Sequence, residues 1–229
     1  MRAPSVSTLL LLPALLLGTG AAPLAAQESG HRGNHDHVDQ AVEGGGTIPA
    51  GWSARADENA GTTNVKVVPM GKGIHVTLGP AIILYRENGG GKGPFHTLAT
   101  FTQTKPTTHA EGYGLFYGGE GLDGAGQKYT YFLIRQDGTY LIKQRDGEKT
   151  TEVTKGWVAS SAVHKIEGKG SSTNLLEIDH KRDPSKVVFL VNGQAVHTLD
   201  AKATNTDGLV GMRVNHNLDL HIDGFDVHR

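Results

Sequence analysis

From Trp52 onward the chain is a succession of short runs of β-branched and aromatic residues separated by turn-forming pairs. Such pairs supply the positive φ angles that tight hairpin turns require. Three of them are Asp137-Gly138, Asp146-Gly147 and Asn192-Gly193. Short strands separated by turn signals about every eight to twelve residues are typical of two packed antiparallel sheets. The sequence therefore predicts an all-β, two-sheet antiparallel β-sandwich.

Glycine supports this interpretation, because the chain contains 32 glycines in 229 residues, roughly twice the average usage. Glycine destabilises helix interiors and favours turns. No amphipathic helix pattern is present beyond Trp52, and we predict about fourteen strands, enough for two sheets. They cover residues 65–69, 74–78, 81–86, 95–103, 112–117, 129–136, 140–145, 149–153, 163–167, 174–180, 186–191, 195–199, 208–214 and 218–227.

The first 26 residues have the pattern of a secretory signal peptide. Arg2 precedes an apolar stretch at residues 9–17, and small residues follow as far as Ala26. The apolar core is shorter than the ~20 residues that a membrane span needs, so we expect cleavage, export and no membrane insertion of the mature chain. Residues 27–50 are polar and glycine-containing, and we predict a flexible leader ahead of a sandwich domain at 51–229. The leader histidines are His31, His35 and His37.

The charge balance and the absence of cysteine narrow the function classes. Lys+Arg number 22 and Asp+Glu 23, for a net charge of −1, so no net positive field exists to hold nucleic acid or an anionic membrane. The chain has no cysteine, which excludes thiol catalysis and disulfides. Stability must then come from the hydrophobic core.

Side chains alternate between an apolar and a mixed face in the predicted strands. Phe132 and Ile134 point to one side, and Tyr131 and Arg135 point to the other. The apolar faces should meet in the core, and the mixed faces would line a concave surface if one sheet is curved. Sugars are held by aromatic faces and planar polar side chains, so we predict a carbohydrate-binding groove. Its predicted contact residues are Tyr113, Tyr117, Tyr131, Arg135, Arg213 and Asn215.

A structural interpretation of the same residues stays open. The tyrosines could cap the core with their hydroxyl groups in water, and Arg135 and Arg213 could pair with acids in a network on the sheet surface.

Four segments carry a family resemblance: residues 113–119 (YGLFYGG), 129–138 (YTYFLIRQDG), 188–193 (VFLVNG) and 211–214 (GMRV). They resemble bacterial exported concanavalin A-like (laminin-G-like) jelly rolls, and most nearly the 3-keto-disaccharide hydrolase-like domain. The resemblance implies a jelly-roll sandwich with glycoside chemistry or carbohydrate binding on a concave face. It also implies the bacterial periplasm or the extracellular medium as the compartment.

Glycosidases need two carboxyl groups about 5 to 9.5 Å apart, and two local pairs are candidates. Glu177 and Asp179 lie two residues apart in a predicted strand, so they share a face at a spacing of about 6.5 to 7 Å. The pair resembles the start of the Glu-x-Asp-x-Glu motif of lichenase- and laminarinase-type glucanases, with Lys181 where the third acid would stand. Strand alternation alone also explains it. Glu120 and Asp123 form the second candidate pair.

Metal binding is the remaining possibility in the sequence. Asp219, Asp223 and Asp226, or Glu120 and Asp123, could donate oxygens to Ca²⁺, although no dense Asp-rich loop accompanies them. The leader histidines His31, His35 and His37 could bind Zn²⁺ or Cu²⁺ without fixed geometry, or form a solvated tail. We expect no cofactor other than such a Ca²⁺ ion.

These observations favour an exported, lectin-like glycan-recognition module that is not catalytic and whose partner is a carbohydrate or glycoconjugate. A hydrolase acting on glycosides or 3-keto-glycosides is the first alternative. A structural or adhesive interaction domain is the second.

Overall fold

The computed structural model describes Met1 and residues 38–229, and this part of the chain is built almost entirely of strands. The strands are β1 Ser53–Ala56, β2 Val65–Met70, β3 Gly73–Leu78, β4 Ile82–Tyr85, β5 His96–Gln103, β6 Tyr113–Glu120, β7 Lys128–Ile134, β8 Thr139–Asp146, β9 Lys149–Glu152, β10 Val158–Ala159, β11 Ser172–Asp179, β12 Lys186–Val191, β13 Gln194–Asp200, β14 Leu209–Val214 and β15 Asp219–His228. The helical segments described are single turns of 3-10 helix at Asp57–Asn59, Glu87–Gly89 and Ala201–Ala203. None of them has the length and apolarity needed to cross a membrane.

The strands form two antiparallel sheets. Sheet 1 has the order β1-β4-β14-β6-β7-β8-β10, with β9 also paired to β8. Sheet 2 has the order β13-β12-β11-β5-β15-β3-β2. Neighbours in both sheets come from distant parts of the sequence, as in β4 beside β14 and β5 beside β15, so the chain crosses repeatedly between the two layers. The all-β sandwich predicted from turn spacing is confirmed.

The core lies between the inner faces of the two sheets and is rich in aromatic rings. Phe101 of sheet 2 meets Tyr113 of sheet 1 at a centroid distance of 5.6 Å. Phe189 of sheet 2 meets Phe132 of sheet 1 edge-on at 5.3 Å. All four side chains are fully buried. Burial of aliphatic and aromatic surface is the main stabilising term that a chain without disulfides has available.

The predicted strand at 163–167 is wrong. The His164 amide donates to the side-chain oxygen of Asn174 at 2.8 Å, and the Ile166 amide donates to the carbonyl of Gln136 at 3.0 Å. The two amides therefore have hydrogen-bond acceptors outside any strand, one a side chain and the other the carbonyl of Gln136, so the segment needs no strand partner. The short strands β1 and β10 were not predicted, because four and two residues are too few to show a period.

Residues 38–50, the described part of the predicted leader, contain no strand but contact the sandwich. The Gln40 amide donates to Asn217 Oδ1 at 2.8 Å, and the Gly46 amide donates to the Val65 carbonyl at 2.9 Å. Ile48 packs against the core. This part of the leader is therefore attached to the domain, whereas the predicted signal peptide and the rest of the leader lie outside the described residues.

Gly118 offers a test of the fold at the point where β6 shifts register against β7. Its φ is +68°, and an added Cβ would collide with the carbonyl oxygen of Asn205. We expect Gly118→Ala to lower the free energy of unfolding by about 1–3 kcal/mol, the usual cost of forcing a side chain into this conformation. Urea denaturation measures the change. At Gly126 an added Cβ meets nothing within 4 Å, so Gly126→Ala should stay within about 0.5 kcal/mol of the parent; equal effects would contradict the analysis.

Candidate functional site

The outer face of sheet 1 is strongly concave. Asp57 directly follows β1, and Arg145 lies in β8, with β4, β14, β6 and β7 between them. At ~4.8 Å per strand, a flat sheet would place β1 and β8 about 24 Å apart, which is more than the two side chains can span. Asp57 Oδ2 and Arg145 Nη1 are nevertheless 3.2 Å apart. The sheet must therefore curl, and the face from which Arg145 projects is a hollow.

A charged network closes the middle of this hollow. Arg213 of β14 donates from Nη2 to Asp57 Oδ2 at 2.6 Å and from Nη1 to the Tyr129 hydroxyl at 2.9 Å. Arg145 donates from Nη1 to both oxygens of Asp57 at 3.2 Å. We call these four residues the Asp57 bridge. Only 8% of the Arg213 side chain and 17% of the Asp57 side chain are exposed, so the bridge is shielded from water and salt.

Asp57 and Arg213 are ionised over the whole physiological pH range. Burial favours the neutral carboxyl of Asp57, but the guanidinium groups of Arg213 and Arg145 outweigh it and lower its pKa to about 2. Burial also opposes the charge on Arg213, yet the Asp57 carboxylate raises the pKa of that guanidinium well above its ordinary value. Asp57 is therefore a carboxylate at neutral pH. It pairs with Arg213 and Arg145 and has no proton to donate.

Beneath the bridge lies a second apolar cluster, separate from the core between the sheets. Arg213 stands over the ring of Tyr131 with its Cζ 5.2 Å from the centroid. The buried members of the cluster are Ile83, Tyr85, Phe116, Leu122, Tyr129, Tyr131 and Leu133. The centre of the hollow is thus filled by the chain's own side chains.

The structure separates the predicted contact residues into two groups. Tyr113 and Tyr117 are fully buried in the core between the sheets, together with Leu115. Burial raises the pKa of each of these tyrosines to about 12. The prediction that they face a groove is wrong, because β6 places both rings on its inner side and leaves Phe116 and glycines on the concave side. All six tyrosines of the chain are buried.

The remaining predicted residues lie on the concave face, but only two of them reach solvent. Tyr131 and Arg213 are each 6% exposed, whereas Arg135 and Asn215 are partly exposed. Arg135 donates from Nη2 to Asp137 at 2.6 Å. The structural interpretation of the arginines, a pairing with acids on the sheet surface, is therefore correct for both.

Trp157 was not among the predicted contacts, and the structure brings it to the same end of the hollow. Its ring lies against Arg135, with the guanidinium Cζ 4.1 Å from the ring centroid. A Cβ added at Gly112 would lie 2.8 Å from the Trp157 ring and 3.4 Å from Asn215 Nδ2, so the ring and the amide converge on one glycine. We call Trp157, Arg135 and Asn215 the Trp157 platform. A tryptophan in a polar, turn-rich stretch after Gly156 was the sequence signal that could have identified it.

At the opposite end of sheet 1, a cleft of about 370 Å³ lies between the ends of β6, β7 and β8 and residues 202–205. Thr130 and Gln144 line it from the inner side of the sheet, since they alternate with Tyr129 and Arg145. Tyr129 and Arg145 belong both to the cleft wall and to the Asp57 bridge. The cleft is lined by Gly118, Glu120, Lys128, Tyr129, Thr130, Gln144, Arg145, Asp146, Lys202, Ala203, Thr204 and Asn205. A volume of this order can hold a small ligand.

The four predicted acids are not brought together. Glu120 lies in the cleft wall, where Asn205 donates to its Oε1 at 2.9 Å, and Asp123 is exposed in the following turn. Glu177 and Asp179 lie on sheet 2, where Glu177 pairs with His96 at 3.1 Å. The two candidate pairs therefore lie on different sheets.

The predicted calcium ligands also face different partners. Asp219 and Asp223 share the outer face of β15, but their four-residue separation corresponds to about 13 Å along a strand. Asp219 pairs with His75 at 3.1 Å and Asp223 with His221 at 2.9 Å. Within residues 38–229, no group of three or more His, Asp or Glu side chains is arranged to hold a metal ion. The leader histidines lie outside the described residues.

No protein-family model and no curated protein sequence matches the chain. Several solved structures, in contrast, are similar to this chain over most of its length. A carbohydrate-binding module of type CBM66 from Bacillus subtilis has a TM-score of 0.56 at 8% identity, covering 78% of this chain and 96% of that one. A glycoside hydrolase family 16 enzyme of a Bacteroides ovatus mixed-linkage glucan locus has a TM-score of 0.52 at 9% identity, covering 80% and 96%. The exoplasmic/lumenal domain of VIP36 has a TM-score of 0.51 at 7% identity, covering 78% and 83%. These similarities confirm the jelly-roll β-sandwich.

The Asp57 bridge leads to a pH prediction. The pKa of this carboxyl is about 2 in the folded chain against an ordinary value of 3.8, so its stabilising effect is complete above the ordinary value and is lost as pH falls through about 2. The linked free energy is about 2 kcal/mol. Unfolding titrations between pH 7 and pH 2 should show this loss in the parent and not in Asp57→Asn.

The same variant should lose about 3–5 kcal/mol at neutral pH, because it leaves the buried Arg213 without its carboxylate. Asp146, which pairs with Lys128 at 3.2 Å and is 69% exposed, provides the control. Asp146→Asn should change stability by less than about 1 kcal/mol. An Asp57→Asn protein as stable as Asp146→Asn would rule out the bridge as a stabilising element.

Proposed function

We propose that this protein is a lectin-like module that binds carbohydrate on the concave face of sheet 1, with the Trp157 platform as its contact surface. Structures of the same fold include a carbohydrate-binding module and a VIP36 domain bound to Ca²⁺ and Man3GlcNAc. The observation that carries the proposal is the partly exposed Trp157 ring on the concave face, where every tyrosine is buried.

The platform offers the two kinds of group that sugars require. An indole ring can stack on the C–H face of a pyranose, and planar polar side chains can bond to its hydroxyl groups. Asn215 Oδ1 is buried and accepts no hydrogen bond from the described residues, so a rotation of this partly exposed side chain would let it accept from a sugar hydroxyl without breaking a bond. Arg135 is held by Asp137, and its Cζ stands 4.1 Å from the centroid of the Trp157 ring, a contact that restricts the orientation of the ring.

The Asp57 bridge supports this surface from behind. Arg213 and Tyr131 are fixed under the hollow, so the sheet that carries Arg135 and Asn215 is rigid before a ligand arrives. Rigid binding surfaces lose less conformational entropy on association. We propose that the bridge preorganises the platform and makes no direct contact with the sugar.

We also propose that the module acts outside the cytoplasm. This rests on the signal-peptide pattern of residues 1–26 and on the resemblance to exported jelly rolls. The periplasm and the extracellular medium are both compatible with a fold that has no disulfide to form. The partner would be a carbohydrate or glycoconjugate.

A hydrolase is the second candidate, and the cleft at the other end of sheet 1 is the observation that favours it. Glu120 and Asp146 both line this cleft beside Arg145, and glycoside hydrolases of family 16 share the fold. Incubating the mature protein with glycosides and 3-keto-glycosides, with and without chelator, tests for turnover. Product formation that is abolished by Glu120→Gln would place the activity in the cleft and displace the non-catalytic proposal.

The binding proposal predicts a specific loss of affinity. Calorimetry with mixed-linkage glucan oligosaccharides and Man3GlcNAc, followed by a wider glycan array, identifies the ligand to use. For that ligand, Trp157→Ala and Arg135→Ala should each weaken binding by about 1–3 kcal/mol, or roughly tenfold to a hundredfold.

Trp52 provides the matched control. It is also partly buried and carries an arginine on its ring, Arg86 at 4.5 Å, but it packs against Phe225 at the edge of the core. Trp52→Ala should leave the affinity within about twofold of the parent. Unchanged binding by Trp157→Ala and Arg135→Ala, with both proteins folded, would refute the platform.

A further inference from the structure

The floor of the cleft beside Glu120 and Asn205 belongs to the inside of the sandwich. Tyr117 of β6, Thr130 of β7 and Gln144 of β8 are directly opposed in the antiparallel register, so their side chains share one face. Tyr117 is part of the core between the sheets, which makes this the inner face of sheet 1. Thr130 and Gln144 line the cleft. The cleft therefore reaches the gap between the two sheets and is separate from the Trp157 platform on the concave face.

Three hydroxyl groups meet on this floor. The Thr130 and Thr204 hydroxyls lie 2.8 Å apart and share a hydrogen bond. The Tyr117 hydroxyl is buried and makes no hydrogen bond with the described residues. Burial raises the pKa of this phenol to about 12, although the hydroxyls of Thr204 and Thr130 are near enough to oppose the rise. At neutral pH the phenol is therefore protonated and is available as a hydrogen-bond donor.

The three hydroxyl groups carry more protons than they use among themselves. Each has one proton to donate and two lone pairs to accept with. The bond between Thr130 and Thr204 uses one proton, which leaves the proton of the accepting threonine and that of Tyr117. A buried hydroxyl that donates to nothing costs free energy. Thr204 is partly exposed, whereas Thr130 and Tyr117 are buried, so an acceptor in the cleft would reach the cluster through Thr204.

Amide groups fix the wall that carries Thr204. Gln144 donates from Nε2 to the carbonyl oxygen of Ala203 at 2.9 Å, and Asn205 donates from Nδ2 to Glu120 Oε1 at 2.9 Å. Both bonds join the segment around Thr204 to sheet 1. The wall is therefore held in place on either side of the hydroxyl, and a ligand would not have to order it.

The charges of the lining nearly cancel. Lys128 pairs with Asp146 at 3.2 Å, and Arg145 belongs to the Asp57 bridge. The remaining charged residues of the lining are Lys202 and Glu120, one of each sign. A ligand of either charge would meet one attractive and one repulsive group, so the lining favours neither an anion nor a cation.

We propose that the cleft binds a small uncharged polyhydroxylated molecule, such as a monosaccharide or a polyol, through the Thr204 hydroxyl. A ligand hydroxyl both donates and accepts, as the floor requires. Tyr117 and Thr130 stand behind Thr204, and a chain of hydroxyl groups polarises and strengthens its own hydrogen bonds. The volume of about 370 Å³ lies near the lower end of the range for small-molecule sites, which suits a single sugar residue.

This site depends neither on the Trp157 platform nor on catalysis in the cleft. The aromatic residue in its lining is Tyr129, which is 3% exposed and whose hydroxyl is held by Arg213. No stacking surface is thus available in the lining, and the affinity rests on a few hydrogen bonds. We therefore expect a Kd in the millimolar range for a ligand of this size.

The test is a titration of the full chain carrying Trp157→Ala, which removes the platform, followed by NMR. The probes are glucose, galactose, mannose, fructose and glycerol. At least one should give saturable shifts of the amides of Gly118, Thr130 and residues 203–205. Its Kd should change by less than about twofold between low and high salt, and the corresponding uronic acid or amino sugar should not bind more tightly.

Two variants in the same background test the hydroxyl cluster. Thr204→Val keeps the shape of the side chain and should weaken binding by about tenfold or more. Tyr117→Phe should weaken it by about threefold or more, through the loss of the donor behind Thr204. Thr100→Val is the matched control, because Thr100 is a partly exposed threonine on the outer face of sheet 2. It should keep the parent Kd.

Three results would each overturn the proposal. They are the absence of saturable shifts with every probe, equal affinities of folded Thr204→Val and Thr100→Val, and tighter binding of a charged counterpart that weakens with salt. Because the background lacks the platform, none of these results bears on carbohydrate binding at Trp157. Conversely, a platform that binds no glycan would leave the cleft titration unchanged.

Discussion

The buried contact between Asp57 and two arginines determines the shape of the concave face. Strands near opposite edges of a seven-strand-wide sheet can meet at 3.2 Å only if the sheet curls, and the same contact holds the turn after β1 over the hollow. Hydrogen bonds from two guanidinium groups offset much of the hydration free energy that the carboxylate loses on burial. The aromatic cluster below then packs against fixed charges. The curvature and the filled centre of the hollow both follow from this one arrangement.

The placement of the aromatic rings explains which of them remains partly exposed on the concave face. A core without disulfides needs large apolar side chains, and the sandwich uses Phe95, Phe101, Phe132 and Phe189 together with Tyr113 and Tyr117 for it. The cluster under the Asp57 bridge takes up Tyr85, Tyr129 and Tyr131. Trp157 is then the ring left partly exposed on the concave face among the described residues, whereas the cleft at the other end is lined mainly by charged and amide groups.

Most of the fold could be predicted from the sequence, because hairpin turns are local. Gly138, Gly147 and Gly193 have φ values of +86°, +61° and +76°, as Asp-Gly and Asn-Gly turns require. The face of β6 could not be predicted, since YGLFYGG places aromatic residues on both sides and glycines at three positions. Its orientation follows from the partners Phe101 and Phe189 on the other sheet, and a sequence does not show which distant strands face each other. Asp57 was missed for the same reason: its partners are 88 and 156 residues away.

Because most aromatic rings are buried, the Trp157 platform has few groups with which to bind a sugar, and this limits its affinity. One stacked ring and two planar polar side chains offer few interactions, and each is worth about 1–3 kcal/mol at best in a binding site. Part of that gain is offset by the loss of translational and rotational freedom. A module of this kind therefore reaches useful affinity through repeated sites on a polymer, where the effective concentration of the next sugar is high. If the concave face binds carbohydrate as proposed, we accordingly expect its ligand to be a polysaccharide or a clustered glycoconjugate rather than a free monosaccharide.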